Sequence, residues 1–368
     1  MKKITWIPLL IIIVGVCLAL AGFAAGGMKG YWTGGPAAPA APAAPAATGV
    51  PEAPEPPAAP EPPGLLKGLR GFWFDRGVFH SSNANLGNLI KVDESFDGVT
   101  VTDLEVRVDF MDKITFREGD RFSVRGQNYE RFGGLDVQQN GDRLYVEATR
   151  EDRWLRLGLD DLHRSFNSGN TWLEITYPKG TKLDVVRTEI SAGRLNISDL
   201  ECDRLYINND FGDVELTGVK AGEMTVDLNA GNAKVRGVSA DTLDISSDFG
   251  KIDLENAGTN TLTLRISAGD LSADNVNTRD LFVNSDFGTA RINRLELSGR
   301  GEIDMSSGDV NIGVNMSEGD LSYDLLTSVG KVTVDGRSGG SISSRASGAE
   351  ASLRINSDFG AITLRFLK

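Results

Sequence analysis

Glycine recurs at positions 193, 212, 231, 250, 269 and 288, nineteen residues apart each time, and the series continues less regularly at 308, 330 and 360. A fixed period of about twenty residues built from strand-length pieces allows few outcomes. Each unit is too short to bury an apolar face alone and must stack on its neighbours. The chain is therefore expected to be all-β: a single-stranded, β-helix-like solenoid of about nineteen-residue coils over residues 181–368, with 65–180 as an N-terminal cap and β-strand region.

Counting from each glycine gives the cross-section of a coil. The positions seven and five before it are apolar (Leu205 and Ile207, Met224 and Val226, Leu243 and Ile245, Leu262 and Leu264, Leu281 and Val283), and so are those two and four after it (Leu195 and Ile197, Val214 and Leu216, Ile252 and Leu254). Inward parity changes between the two sets, and a period-two strand changes parity only by turning a corner, which glycine permits. A second corner is expected at Asp199, Gly218, Gly237, Asn256 and Asn275, residue types that tolerate left-handed backbone. Each is followed by an apolar residue (Leu200, Val219, Val238, Ala257, Val276), so a coil should have three short faces.

Two coil types alternate. Gly193, Gly231 and Gly269 lie in SAG-like coils, whereas Asp210-Phe211-Gly212, Asp248-Phe249-Gly250, Asp286-Phe287-Gly288 and Asp358-Phe359-Gly360 are DFG coils. The residue three before glycine is large and apolar in the first type (Ile190, Leu228, Ile266) and small and polar in the second (Asn209, Ser247, Ser285, Ser357). Simple parity puts both that position and the residue directly before glycine inside. On that reading each phenylalanine packs in the core over an alanine of the next coil, as close-packed interiors interdigitate large with small groups. A kinase-type metal role for the DFG triplets is excluded, because they recur without any accompanying motif. The column two before glycine, Ser191, Asp210, Asn229, Asp248, Ser267, Asp286 and Asp358, points outward and is read as capping the turn backbone. Calcium is the sharper alternative, but carboxylates on alternate coils stand roughly 9.6 Å apart, too far to share one ion.

Upstream of the repeat, eleven of the thirteen prolines fall between Pro36 and Pro63. Residues 28–64 therefore read as a Pro/Ala/Glu-rich disordered linker with an extended reach of at most about 90 Å. Ile4 to Ala25 carries no charge and follows Lys2 and Lys3, which predicts a cytoplasmic tip at residues 1–3 and a transmembrane helix over 4–27, with the bulk extracytoplasmic. A cleaved signal peptide, with Ala19-Leu20-Ala21 as its cleavage motif, is the competing expectation and leads to secretion. A net charge of minus 13 excludes nucleic acid as the main partner. With only Cys17, Cys202, His80 and His163 available, neither a disulfide framework nor a Cys-rich zinc site can be built, and no metal or cofactor is expected.

Two segments interrupt the pattern. Residues 65–79, LLKGLRGFWFDRGVF, suit either a membrane-surface element or a cap on the solenoid end. Period-two strands follow from Val99 to Pro178, broken at 150–170 by Arg153, Trp154, Arg156 and Arg164. That cluster, an aromatic plate among guanidinium groups, is the candidate binding site for an envelope polymer or protein, against the plainer reading of a solvated loop. The stretch 336–349 reads as a flexible excursion or a degenerate coil.

The ITFREGDRFSV entry, the LYVEA strand, the TYPKGTKLDVV step and the serial SAG/DFG coils resemble the bacterial putative adhesin family, whose β-strand-repeat domain is of unknown function. The resemblance implies an exported β-solenoid, sometimes associated with envelope-stress systems, and no catalytic residues. Two function classes follow: a non-enzymatic, membrane-anchored envelope scaffold or adhesin-like binder, and a β-helical enzyme acting on acidic polysaccharide. The second needs a face where non-periodic Asp, Lys or Arg collect, which the regular coils lack. Self-association through solenoid ends is a third expectation, opposed by the acidic charge.

Overall fold

The computed structural model describes residues 88–149 and 170–368, together with the backbone of Phe72–Asp75 and Val78–Ser81. The apolar span, the Pro/Ala linker, most of the segment 65–79 and all four residues of the Arg-Trp cluster lie outside the described residues. Within them no helix is long and apolar enough to cross a membrane. Phe72–Asp75 and Val78–Ser81 pair with each other as an antiparallel hairpin.

The repeat is a stack of parallel coils. Strand Lys182–Ser198 pairs with Glu201–Phe211, which pairs with Lys220–Ala230, which pairs with Ser239–Phe287; Leu205 faces Val186 on one side and Met224 on the other, offsets of nineteen. On the next face Val214–Thr217 lies between Leu195–Ser198 and Ala233–Arg236 in the same register. Ser239–Phe287 is a continuous extended run of forty-nine residues that winds through several corners. The inward columns seven and five before glycine and two and four after it are buried as expected, with Leu205, Met224, Leu243, Leu264 and Leu281 all at 0% exposure. Each such side chain contributes about 1.5–3 kcal/mol on burial. The second corner also stands where expected. Asp199, Gly218, Gly237, Asn256 and Asn275 have φ between 54° and 66°, and the residues after them are buried.

The two ends depart from sequential stacking. Asp103–Gly119 lies beside Lys182–Ser198, and the rung beyond it is made by Arg143–Ala148 and Trp172–Pro178, still parallel. Three antiparallel strands, Leu89–Ser95, Ser123–Tyr129 and Asp136–Asn140, then close that side. Switching to antiparallel pairing ends the repeat's open edge, a hazard in any solenoid. At the other end the chain's last coil is wedged out of order. Ala351–Phe359 and Ile362–Phe366 sit between the coil of Arg300–Val314 and the coil of Leu321–Val334. The lengthened glycine intervals record this: the spatial order of the glycines is 308, 360, 330. The stretch after Gly336 is neither a loose excursion nor a degenerate coil. Arg337–Gly339 and Ser341–Ser344 pair antiparallel with the outermost coil, and Ile342 packs on the core. Its glycines and serines suit a tight return over a surface that is already filled.

Candidate functional site

The phenylalanines of the DFG coils are not in the core. Phe211, Phe287 and Phe359 are 43%, 61% and 58% exposed, and Phe249 is half-buried. Alternation does not run through to the residue before glycine. The four residues from two before glycine to one after it make the corner, and none of them points inward in coils such as 210–213 or 286–289. The glycines sit at φ 132° for Gly212 and 134° for Gly288, so parity resets after the position three before glycine. That position is the inner side of the wall: Asn209, Ser247, Ser285 and Ser357 are 0–4% exposed, between Ile190, Leu228, Ile266 and Met305. Asn209 donates its side-chain N–H to the Gly193 carbonyl at 3.1 Å. Large and small groups do alternate from coil to coil, but in opposite phase on the two sides of the wall. Where the inside holds isoleucine or leucine the outside holds alanine, and where the inside holds serine or asparagine the outside holds phenylalanine.

Stability should follow this assignment. Phe287→Ala is expected to cost under about 1 kcal/mol, since its ring is mostly in water, whereas Leu281→Ala in the same coil should cost about 2–5 kcal/mol. Denaturant titration of both variants checks it, and an equal loss would place the phenylalanine back inside.

The outer column runs the length of the stack. Its rungs are, in order, Phe110, Ala192, Phe211, Ala230, Phe249, Ala268, Phe287, Ser307, Phe359 and Val329. Phenylalanine returns at every second rung, roughly every 9.6 Å, even across the out-of-order final coil. Of the eight large apolar side chains exposed among the described residues, four belong to this column: Phe211, Phe287, Phe359 and Val329. Scattered exposed apolar groups are ordinary, but an aligned series marks a contact surface.

Two polar columns flank it. On one side the expected acidic column faces outward, but it bonds between coils: Asn229 donates to Asp210 at 2.7 Å and Ser267 to Asp248 at 3.4 Å. Partial burial raises the Asp210 carboxyl above its ordinary value. Capping of backbone falls instead to the residue after glycine. Asp213, Asn232, Asp270 and Asp309 accept the N–H groups of Asn232, Lys251, Thr289 and Ala361 in the neighbouring coil at 2.8–3.1 Å. The acceptor stands on the other side of the glycine from the expected one because the N–H it serves belongs to the neighbouring coil and not to its own turn.

Other chemistry is sparse among the described residues. Cys202 is buried and its thiol is pushed up to about 12 by desolvation, which makes it inert. Glu318 accepts from Tyr323 at 2.6 Å and pairs with Arg337, and these contacts hold its carboxyl below the ordinary range, tying the antiparallel hairpin to the outermost coil. A shallow cleft of about 210 Å³ lies outside the corner at the N-terminal end, lined by Asp109, Thr149, Glu189, Ser191, Asn208 and Asp210. No group of three or more His, Cys, Asp or Glu among the described residues is placed to hold a metal. The Arg-Trp cluster itself is outside the description. The strands on either side of it, ending at Ala148 and starting at Trp172, pair with Val108 and Lys113 and so flank the corner one rung beyond Phe110.

Residues 101–365 match the family described as Toastrack DUF4097. Solved structures with a similar chain path include a putative adhesin from Bacteroides fragilis, 12% identical, covering 76% of this chain and 97% of that one with a TM-score of 0.38. A putative lipid binding protein from Parabacteroides distasonis is 12% identical, covering 77% and 98% with a TM-score of 0.40. A putative cell adhesion protein from Clostridium sporogenes is 12% identical, covering 76% and 100% with a TM-score of 0.26. No curated protein matches the chain.

Proposed function

Since this chain belongs to the Toastrack DUF4097 family, a domain of unknown function, its role has to be read from its own surface, and we propose a non-enzymatic, adhesin-like binding scaffold held outside the cytoplasm. The observation that carries this reading is the aromatic column: a rigid stack that leaves a line of phenylalanines in water is made to touch something. Loops on regular scaffolds are where binding groups collect. The Arg-Trp cluster at 153–164, which lies in sequence between the strands that flank the same corner, is therefore the proposed second element of the contact, with an envelope polymer or protein as its partner. Lys2 and Lys3 before an uncharged span, followed by the Pro/Ala linker, support a membrane tether that holds the stack away from the bilayer.

Two experiments test the reading. Protease added to intact cells or spheroplasts should digest the solenoid from outside; full protection in both overturns the extracytoplasmic placement. Replacing Arg153, Trp154 and Arg156 together by alanine should leave the thermal transition nearly unchanged and weaken capture of envelope material by the full-length protein. A large drop in the transition would make those residues part of the fold and remove them from the proposed site.

A further inference from the structure

At its N-terminal end the aromatic column shows what fills it. Phe132 contacts Phe110 with ring centroids 5.8 Å apart and packs on Ala192, leaving Phe110 8% and Ala192 2% exposed. The ring of Phe132 occupies the notch above a small rung, beside a phenylalanine rung. The notches at Ala230, Ala268 and Ser307 are of the same kind, between phenylalanines that are exposed or, at Phe249, half-buried. Whatever covers them must offer large apolar groups at a spacing of two coils. We infer that the occupant is a second copy of this chain, packed antiparallel along the same corner through a two-fold axis passing between the rungs of Ala268 and Phe287.

The axis stands at the middle of the eight rungs from Phe211 to Val329, the part of the column that Phe132 does not cover. Reversing the column about that point sets Phe287 over the partner's Ala268, Phe249 over the partner's Ser307, Phe359 over the partner's Ala230 and Phe211 beside the partner's Val329. Every ring meets a small rung or the column's valine, and none meets a ring. The column two before glycine shares the alternation of the phenylalanines and pairs with them, whereas the column after glycine does not share it and is an independent check on the axis. On one side the operation places Asp210 by the partner's Ser328, Asp358 by the partner's Asn229, Asp248 by the partner's Ser306 and Asp286 by the partner's Ser267. Each carboxylate meets a hydroxyl or amide. On the other side Asp213 meets the partner's Lys331 and Lys251 the partner's Asp309, while Asp270 meets the partner's Thr289. In the single copy the Lys251 ammonium pairs with Asp253 at 2.6 Å, on its own coil. A chain of net charge minus 13 thus presents itself with no like-charged pair along this line. A parallel pair would instead stack ring on ring at each level and leave the notches empty.

Half-exposed rings contribute on the order of 100 Å² each. Four of them with their notches reach only the lower end of specific interfaces, near 1,200 Å² in total, so the pairing should be reversible and in the micromolar range. The inference extends the reading of the corner as a contact surface and does not depend on where the protein is located.

The test uses the full-length chain with Cys17→Ser, Cys202 being buried. Sedimentation equilibrium should give a monomer–dimer equilibrium that Phe287→Ser weakens at least tenfold, without moving the thermal transition. Cysteines placed at the column ends read the direction. A mixture of Asp210→Cys and Ser328→Cys chains should cross-link with a short bis-maleimide, whereas Asp210→Cys alone should not, because two copies of that position lie about 34 Å apart in the antiparallel pair. Lys251→Glu should weaken pairing, and Asp309→Lys added to it should restore it. A monomer at all concentrations, or cross-linking of Asp210→Cys with itself, overturns the inference. If the protein stays monomeric while Phe287→Ser still weakens capture of envelope material, the corner is a contact surface for another partner and the binding reading stands without self-association.

Discussion

Gly250→Ala is expected to remove more than about 4 kcal/mol of stability, the range reserved for changes the fold cannot relax around. Two independent reasons coincide at this position. The backbone holds φ at 141°, which L side chains rarely adopt. An added Cβ would also overlap the carbonyl of Gly231 in the coil below, at 2.7 Å from its carbon. The clash is with backbone, and the glycines are stacked one on another, so moving one coil presses on the next. Gly258→Ala is the matched control: nothing lies within 4 Å of its Cβ direction, and it should change stability by under about 0.5 kcal/mol. Denaturant midpoints for the pair decide the matter; similar losses for both would mean that coil spacing is softer than the glycine column implies.

Removing residues 351–368 should have a larger but more local effect. The deletion takes out Leu353, Ile355, Ile362 and Leu364, all buried at 0–1% exposure, and each contributes about 1.5–3 kcal/mol on burial. It also removes the only parallel partner, among the described residues, of Leu321–Val329 and of Val332–Val334. In a stack whose stability is a sum of coil and neighbour terms, the damage should stop where neighbours are intact. Amides of 300–334 are expected to lose hydrogen-exchange protection by several orders of magnitude, while those of 201–250 keep theirs. Protection persisting in 321–334 would mean that this coil can dock directly on 300–314, and that the wedge is replaceable.

The repeat made most of the fold legible. Positions such as Leu205, Val214 and Val219 could be assigned inward from spacing alone, because a nineteen-residue register repeats the same environment in every coil, and chemistry chose the left-handed corner at Asp199, Asn256 and Asn275. The phenylalanines were misplaced for a specific reason. Period-two counting assumes the strand continues to its glycine, whereas the corner occupies four residues, and Phe249 or Phe287 at its crest reads identically in sequence whether it faces in or out. A signal was available: a corner already filled inside by Ile190, Leu228 and Ile266 on alternate coils leaves serine-sized room in the others, and a serine-sized gap does not ask for a second large ring. The order of the last coils could not be counted out, since intervals of twenty-two and thirty measure distance along the chain and not which coil comes to lie next to which.

The wedged final coil also sets a schedule. A chain synthesised from its N-terminus produces Leu321–Val334 before the coil that must lie beneath it, so the outermost layer is finished early and has nowhere to settle. Only when Ala351–Phe366 arrives does the gap between it and Arg300–Val314 close. The stack therefore cannot be sealed by growth alone, as a sequential solenoid can. Residues 351–366 act as a keystone, and any copy that lacks them carries open strand edges on both sides of the gap, the kind of surface on which other chains can pair.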